Sequence, residues 1–443
     1  MSGTVGELFG GSGRRVRDAI WGDVPVDRAV RALLETRAMR RLKGMSQLGF
    51  TFGSFPQARH TRQEHAVGVY HLANLTLRRI TESGAYLEDR DVRCALAAAL
   101  LLDTGRYPYA ASVEGINLPG APTLKELSRR WIEHTDVAKV LRSEWDLEPH
   151  NVFRLVSRGD QPPHSLTPTE HLLRDILFGS LDLDGLDCLI RDARGARVPY
   201  GLLEMESLIE RLRIVGHENR AILAVDEDGA GMLQSLVFSR YLVYYNVYGH
   251  HSLRTPTAMF RRAVQDAVTA GTVALDELSE QDDAGAFGLL EAAAEPESST
   301  AALMKRLADR NPYQLALEFD ERHPSYSSLI RLREDASWRR RVEEAWSRYL
   351  TRYRKGIAGP YDVLIDLPRG LHFPVDLRLI RRTPLPGERN PVSWQNLSGM
   401  SEEDLIRYHA PLRRILISTA NEDLAGSIRR HAEELFTIAE EVG

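Results

Sequence analysis

The sequence predicts a mainly α-helical fold with a short β-hairpin and a smaller mixed α/β region towards the C-terminal end. Long segments repeat apolar residues at helical spacing. One of them, DVRCALAAALLLD at 91–103, is apolar on nearly all sides, as expected of a helix at the centre of a fold. Strand-like apolar runs are concentrated in 221–234 and 361–382. The chain is therefore expected to be helical around one buried helix.

The elements follow in order along the chain. A helix is expected within VDRAVRALLETRAMRRLKGM at 26–45, a longer one over 62–80, and the central helix before Asp103-Thr104-Gly105. Helical spacing continues through 124–192, with breaks at 159–163 and Pro168, and resumes over 235–270. Between them, apolar runs on either side of Asp226-Glu227-Asp228-Gly229 predict a hairpin. YDVLIDLP and FPVDLRLIRR read as strands, and DLAGSIRRHAEELFTIAEEV reads as one terminal amphipathic helix.

Composition shifts divide the chain into four parts. Residues 1–17 form a Gly-rich flexible N-terminus, and 18–270 form the helical core. Residues 271–310 contain an acidic segment at 276–300, which is expected to be a flexible or variable surface. Residues 311–443 form the mixed α/β region, expected to pack on the core.

The bulk composition is that of a globular protein in a reducing compartment. Hydrophobic residues make up 43% of the 443 positions, enough for a sizeable core, and the net charge of -5 gives no general attraction to nucleic acid or to a membrane. The two cysteines, Cys94 and Cys188, are too few for a disulfide framework, which favours the cytoplasm. The N-terminal stretch lacks the apolar core of a signal peptide, and no apolar run is long enough to cross a bilayer.

Histidine and aspartate residues near helix ends are the candidates for chemistry. The sequence has no phosphate-binding glycine loop, no GxSxG elbow and no paired CxxC. What remains is His65 in HTRQEHAVGV, Asp103 in ALLLDTG and Asp184 in LDLDGLDCLIRDA. Taken singly, each is more often a cap or a satisfied polar group than a metal ligand.

Several short segments together resemble the HD-domain family of deoxynucleoside triphosphate triphosphohydrolases (dNTPases). They occur in the family's order over roughly 18–260, which is far more specific than any one match. The segments are Asp18-Ala19-Ile20-Trp21-Gly22, Arg41-Leu42, Gln47-Leu48-Gly49, Phe55-Pro56, 60–69, 182–192, Ser239-Arg240-Tyr241 and Val247-Tyr248-Gly249-His250. The resemblance implies an HD-domain core and a site for a metal and a nucleotide.

In the family, a metal ion is held by a histidine, a His-Asp pair and a distant aspartate. Carried over, the resemblance implies His65, Asp103 and Asp184 as ligands, but the histidine of the pair is replaced by Leu102. An aliphatic side chain cannot bind a metal, so binding of Mn, Fe, Mg or Zn should be weakened or lost. Two further family histidines are replaced by Arg106 and Ala111.

The resemblance also implies roles for residues around the metal. Glu114 and His134 are the nearest matches to a catalytic acid and a later catalytic histidine. The expected contacts to a nucleotide come from Gln47, Arg62, Asp192 and Tyr248. Independently of the resemblance, Arg106 could clamp a phosphate, because its guanidinium fork suits phosphate oxygens. A family lysine and tyrosine are replaced by Gly185 and Cys188.

Three functions remain open from the sequence. The first is a degenerate HD-domain protein that binds a nucleotide or related phosphorylated molecule with impaired catalysis. The second is an active, metal-dependent triphosphohydrolase or other phosphohydrolase with rearranged ligands, and the third is a scaffold with a vestigial site. The family commonly forms dimers or larger assemblies, so the resemblance also implies a homo-oligomer.

Overall fold

The fold was analysed in a computed structural model of the chain. The structure describes residues 14–51, 53–114, 116, 120–157, 166–217, 220–353, 358–359, 361–368, 376–384, 386 and 390–442. The expected flexible stretch 1–13 and the expected helix break at 159–163 lie outside these residues. Residues 14–17, which were assigned to the flexible N-terminus, belong to a strand.

The N-terminal half is a β-ribbon followed by helices. Strands β1 (Arg14–Asp18) and β2 (Gly22–Val26) pair antiparallel. The helices that follow are α1 (Arg28–Leu34), α2 (Arg37–Lys43), α3 (Arg62–Glu82), α4 (Asp89–Leu101), α5 (Ala110–Val113), α6 (Leu124–Glu133), α7 (Asp136–Glu144), α8 (Pro149–Val156), α9 (Pro168–Phe178), α10 (Leu183–Ala196) and α11 (Met205–Glu210). The single helix expected over 26–45 is divided in two, because Thr36 accepts a hydrogen bond from the backbone of Met39 and so begins a new helix.

Helix α4 lies at the centre of this half, as its apolar sequence predicts. Every residue from Ala95 to Leu101 is buried, and the helix packs against α3, α8 and α9. Helix α10 also packs against α3. The ends of α3, α4 and α10 therefore meet in the interior of the core.

The hairpin is present, but its expected turn was wrong. Strands β3 (Leu212–His217) and β4 (Arg220–Asp226) pair antiparallel, with His217 opposite Arg220. The Asp226–Gly229 segment instead leads through a 3₁₀ turn, Glu227–Gly229, into α12 (Ala230–Val243). Leu233, Leu236 and Val237 are buried at helical spacing, and this burial decides in favour of the helix.

The acidic segment, which was expected to be a flexible or variable surface, is helical in the structure. After α13 (His251–Thr269), it forms α14 (Leu275–Ser279), α15 (Asp283–Ala293) and the start of α16 (Ser299–Ala308). Its apolar residues Leu278 and Leu290 are fully buried against α13 and its neighbours. Most of its acidic residues are exposed, but Asp283 is buried and accepts hydrogen bonds from the backbone of Ser46 and Tyr109. The number of acidic residues hid an apolar face that packs.

The C-terminal region is a small mixed α/β layer, as predicted. Its sheet has the order β5-β9-β6, and a second sheet has the order β3-β4-β7-β8. The strands are β5 (Gln314–Phe319), β6 (Val363–Asp366), β7 (Arg378–Ile380), β8 (Val392–Ser393) and β9 (Ile415–Thr419). The helices are α17 (Tyr326–Ile330), α18 (Ala336–Tyr353), α19 (Trp394–Ser398), α20 (Glu402–His409), α21 (Glu422–Arg430) and α22 (Ala432–Glu441). Both expected strand segments contain a strand, and the expected terminal helix is divided at His431.

Among the described residues, no helix has both the length and the apolarity that a membrane span needs.

Candidate functional site

The first turn of α3 places two of the expected residues. Thr61 and Glu64 form a capping box, which fixes where the helix begins. Arg62 is then the first helical residue, and His65 lies one turn further on with no exposed surface. Both side chains are held inside the core by a well-defined helix start.

His65 lies between two carboxylates from α10. Its Nε2 lies 2.9 Å from Asp184 Oδ1, and its Nδ1 lies 2.8 Å from Asp187 Oδ2. Burial alone would lower the pKa of His65, but Cys188 and the hydrogen bonds to both carboxylates outweigh it and raise this pKa well above its usual value. A protonated imidazole can donate a hydrogen bond from each nitrogen, which matches the two carboxylates.

Asp187 connects this histidine to the N-terminal ribbon. It accepts hydrogen bonds from Trp21 Nε1 at 2.6 Å and from Arg191 Nε and Nη2 at 2.8 and 3.0 Å. Arg191 in turn lies 3.0 Å from Asp18 Oδ2. All of these charged groups are buried, so each charge is balanced by another.

Asp103 is held by arginines. Arg62 Nη1 donates to its Oδ2 at 2.6 Å, and Arg106 Nε donates to its Oδ1 at 3.1 Å. Arg106 also donates through Nη1 to Glu114 Oε2 at 2.5 Å. Leu102, beside Asp103, is buried in the apolar core. Both oxygens of Asp103 therefore face guanidinium groups.

The residues expected to contact a sugar form a second cluster on α10. Asp192 Oδ1 lies 2.6 Å from His60 Nε2, and Tyr248 donates its hydroxyl hydrogen to Asp192 Oδ2 at 2.5 Å. Burial, together with the Asp192 carboxylate, raises the pKa of Tyr248 well above its usual value, so this hydroxyl stays protonated. Gln47 contacts the neighbouring Cys188 through Nε2, 3.0 Å from Sγ.

Comparisons with known proteins agree with this architecture. The family model of the HD associated region matches residues 203–369. A deoxynucleoside triphosphate triphosphohydrolase SAMHD1 homolog of Dictyostelium discoideum is 27% identical over 41% of this chain and 36% of its own length. The crystal structure of a phosphohydrolase from Bacteroides thetaiotaomicron has the same fold, with a TM-score of 0.69, 17% identity and coverage of 93% of this chain and all of that one.

The chain is similar to HD-domain proteins of the dNTPase kind.

An uncharacterized protein of Methanocaldococcus jannaschii is also similar, at 23% identity over 68% of this chain and 58% of its own length. The chain spans about half the length of the curated relatives it matches.

The residues that could hold a metal differ from the predicted ligand set. Within the described residues, the donor atoms of His65, Asp184 and Cys188 lie within 4.8 Å of one another. Asp103, the other expected ligand, is not in this group and is engaged by Arg62 and Arg106. Two of the three predicted ligands therefore come together, and a thiol completes the group. These three residues form a possible metal-binding group.

The two residues predicted to be catalytic lie in different surroundings. Glu114 faces Arg106, and its Oε1 is buried with no hydrogen-bond partner among the described residues. His134 is exposed just after α6, and no described contact links it to Glu114, His65 or Asp103. The structure brings Glu114 to the site but does not bring His134 there.

Sequence reasoning missed several residues that hold the site together. They are Asp18, Trp21, His60, Asp187, Cys188 and Arg191. Each lies inside a segment that resembles the family, so a signal was present. Their roles depend on contacts over long sequence separations, such as 166 residues between Trp21 and Asp187.

Proposed function

We propose that this chain is a phosphohydrolase-like protein that binds a nucleotide or a related phosphorylated small molecule with impaired catalysis. The observation that carries the proposal is the pair of arginines on Asp103. Guanidinium groups bind phosphate oxygens with paired donors and stay charged when buried. The described contacts of Arg106 use Nε and Nη1, so its third nitrogen is available to a phosphate.

The second cluster, around Asp192, supports the proposal that the bound molecule includes a nucleoside. Asp192, Tyr248 and His60 present a carboxylate, a phenol and an imidazole in one place, which suits the hydroxyl groups of a sugar. Gln47 lies beside them on Cys188, and its Oε1 is buried without a hydrogen-bond partner among the described residues. A ligand hydroxyl could satisfy that oxygen.

The same site lacks several side chains that would catalyse hydrolysis. Leu102, Arg106 and Ala111 stand where the resembled family has histidines, and the exposed His134 does not join the cluster. Loss of one general acid or base typically lowers a rate about 10²–10⁴-fold. We therefore expect the chain to bind the nucleotide but to hydrolyse it slowly or not at all.

One observation favours an alternative, an active metal-dependent phosphohydrolase with rearranged ligands. His65, Asp184 and Cys188 could hold a divalent metal, which would polarise a phosphoryl oxygen or activate a water molecule. Mn, Fe, Mg and Zn are all candidates under this alternative. The third possibility, a scaffold with a vestigial site, predicts that neither a nucleotide nor a metal binds.

We also expect a cytoplasmic location and a homo-oligomer. Both cysteines are free, which suits a reducing compartment. The homo-oligomer rests on the family resemblance. Neither a membrane nor a nucleic-acid partner forms part of the proposal.

A thermal-shift experiment tests nucleotide binding. The purified chain is heated with each dNTP and NTP in a chelator, so that binding does not depend on a metal. A ligand at a hundred times its Kd adds about 2.7 kcal/mol to the folded state, which raises the melting temperature measurably. We expect at least one nucleotide to do so, and no shift with any of them at millimolar concentration would overturn the proposal.

Variants connect the shift to the pocket. Arg106→Gln should abolish most of the shift, because it removes the phosphate-binding guanidinium. Arg348→Gln is the matched control, since Arg348 is an exposed arginine on α18 and should leave the shift unchanged. Release of tripolyphosphate at a multiple-turnover rate by the metal-loaded protein would instead establish the enzyme alternative.

A further inference from the structure

Asp283, the first residue of α15, joins two loops from different parts of the core. Its Oδ2 accepts a hydrogen bond from the backbone N–H of Ser46 at 2.8 Å, and its Oδ1 accepts one from the backbone N–H of Tyr109 at 2.9 Å. The side chain is buried, although most acidic residues around it are exposed. A single carboxylate therefore holds two backbone segments that are distant in the sequence.

Each of the two loops carries a residue of the proposed pocket. Gln47 follows Ser46 directly, and Arg106 lies three residues before Tyr109. Under the proposed function, Gln47 meets a hydroxyl group of the sugar and Arg106 meets a phosphate. Asp283 therefore fixes the sugar side of the pocket relative to the phosphate side.

The backbone of Tyr109 has a conformation that needs such support. Its φ of 45° lies in the left-handed region, which is unfavourable for a residue with a side chain and persists only where the surroundings hold it. The hydrogen bond from its N–H to Asp283 is one restraint, and the stacking of its ring on Phe50, with centroids 4.3 Å apart, is another. Without the carboxylate, the loop that carries Arg106 should relax.

Arg41 of α2 provides a second link between the same two segments. Its Nε donates to the carbonyl oxygen of Gln281 at 2.8 Å, and its Nη2 donates to that of Arg106 at 2.6 Å. The turn before α15 is thus joined to the Arg106 loop by a buried guanidinium as well as by the Asp283 carboxylate.

We propose that Asp283 is a positioning residue of the pocket, which holds the Gln47 and Arg106 loops at the spacing that a nucleoside phosphate requires. The inference rests on the proposed function for the kind of molecule bound, and on hydrogen bonds within the chain for the role of Asp283. Asparagine has the shape of aspartate but only one accepting oxygen. Asp283→Asn therefore leaves one of the two backbone N–H groups without its acceptor.

The charge of Asp283 provides a readout that a loss of packing would not change. Burial raises the pKa of Asp283 to about 6, and the two backbone N–H groups and Arg62 offset this effect only in part. The other titratable groups that interact with it, within the described residues, are Asp282, Arg41 and Tyr109. Below this pKa one carboxyl oxygen carries a hydrogen, so the wild-type protein should come to resemble Asp283→Asn.

Calorimetric titration of the full chain with each dNTP and NTP, in a chelator at pH 5 and at pH 7.5, measures the effect on affinity. We expect Asp283→Asn to weaken binding about tenfold at pH 7.5, because a hydrogen bond to a carboxylate is lost, and by much less at pH 5. The ratio of the two affinities cancels the titration of the nucleotide's own phosphates. Asp276→Asn is the matched control, because it makes the same change on an exposed side chain of α14 that pairs with Arg130. It should bind like the wild-type protein at both pH values.

Hydrogen exchange followed by mass spectrometry tests the loops without any nucleotide. Peptides that contain Ser46 and Tyr109 should exchange faster in Asp283→Asn, while peptides of the central helix α4 should not change. If no nucleotide binds to the wild-type protein, the proposed function fails, and this exchange alone decides the role of Asp283.

Three results would overturn the inference: unchanged exchange in the two loops, binding by Asp283→Asn that equals or exceeds that of the wild-type protein at pH 7.5, or an equal loss of affinity at both pH values. If Asp283→Asn does not fold, Arg41→Lys replaces it. The lysine keeps the charge but lacks the fork that spans the carbonyl oxygens of Gln281 and Arg106. It should speed exchange in the Arg106 loop and weaken nucleotide binding, and wild-type values of both would equally overturn the inference.

Discussion

Asp187 is the residue on which the buried charges of the site converge. It accepts hydrogen bonds from Trp21 and Arg191 and lies 2.8 Å from His65, and it has no exposed surface. Replacing it with asparagine leaves Arg191 with Asp18 as its remaining carboxylate partner in this cluster. Removing one partner of a buried ion pair typically costs about 3–5 kcal/mol. We expect Asp187→Asn to lower the free energy of unfolding by that amount, as measured by urea denaturation.

Asp146→Asn makes the same chemical change on the surface. The Asp146 side chain is 91% exposed, and its ion-pair partner Arg93 is 3.7 Å away, so the cost should stay within about 0.5 kcal/mol. Equal losses from the two variants would mean that the Asp187 cluster does not stabilise the fold as its burial indicates.

At the level of single residues, the sequence predicted only part of the site. His65 and Asp184 were expected to share a site, and they lie in contact. Asp103 was expected beside them, yet it is engaged by Arg62 and Arg106. Both arginines were expected to contact a nucleotide, Arg106 through its phosphates. The sequence could not show that both would bind a carboxylate, one of them 41 residues away.

At the scale of elements, the close packing of α3 on α10 depends on a glycine. A methyl group added at Gly68 would overlap the side chains of Asp187 and Arg191. Gly68→Ala should therefore push α10 away from α3 and disturb the donors His65, Asp184 and Cys188. Overpacking of this kind costs about 1–3 kcal/mol. Urea denaturation would measure the loss.

Gly231→Ala separates this effect from helix propensity. Gly231 lies in α12, and a methyl group added there would meet no atom within 4 Å. Because alanine favours a helix over glycine, this variant should gain up to about 1 kcal/mol. A higher free energy of unfolding in both variants would show that the packing of α3 on α10 can accommodate a methyl group at Gly68.

Element boundaries were less predictable than element types. The central helix α4 was expected from its apolar sequence, and its burial confirms that expectation. The division of 26–45 at Thr36 and the start of α12 at Ala230 were not expected. Both depend on a cap or on buried neighbours, which local spacing alone does not contain.

At the scale of the whole molecule, a buried carboxylate joins the core to the C-terminal sheet. Asp366 is the last residue of β6. It accepts hydrogen bonds from Arg254 Nε at 2.7 Å and from Arg261 Nη1 at 2.9 Å, and both arginines lie on α13. Arg254 also donates to the backbone oxygen of Arg414, beside β9. The predicted packing of the C-terminal region on the core rests in part on these contacts.

Asp366→Ala should therefore weaken the joint between the two regions. Two arginines would lose their buried carboxylate, which costs about 3–5 kcal/mol. Asp309→Ala is the control, since Asp309 is an exposed partner of Lys305 at the end of α16 and should change the free energy of unfolding by no more than about 0.5 kcal/mol. Thermal unfolding followed by calorimetry would also show whether the regions still unfold together. If Asp366→Ala has the same free energy of unfolding as the wild-type protein, apolar packing alone holds the sheet on the core.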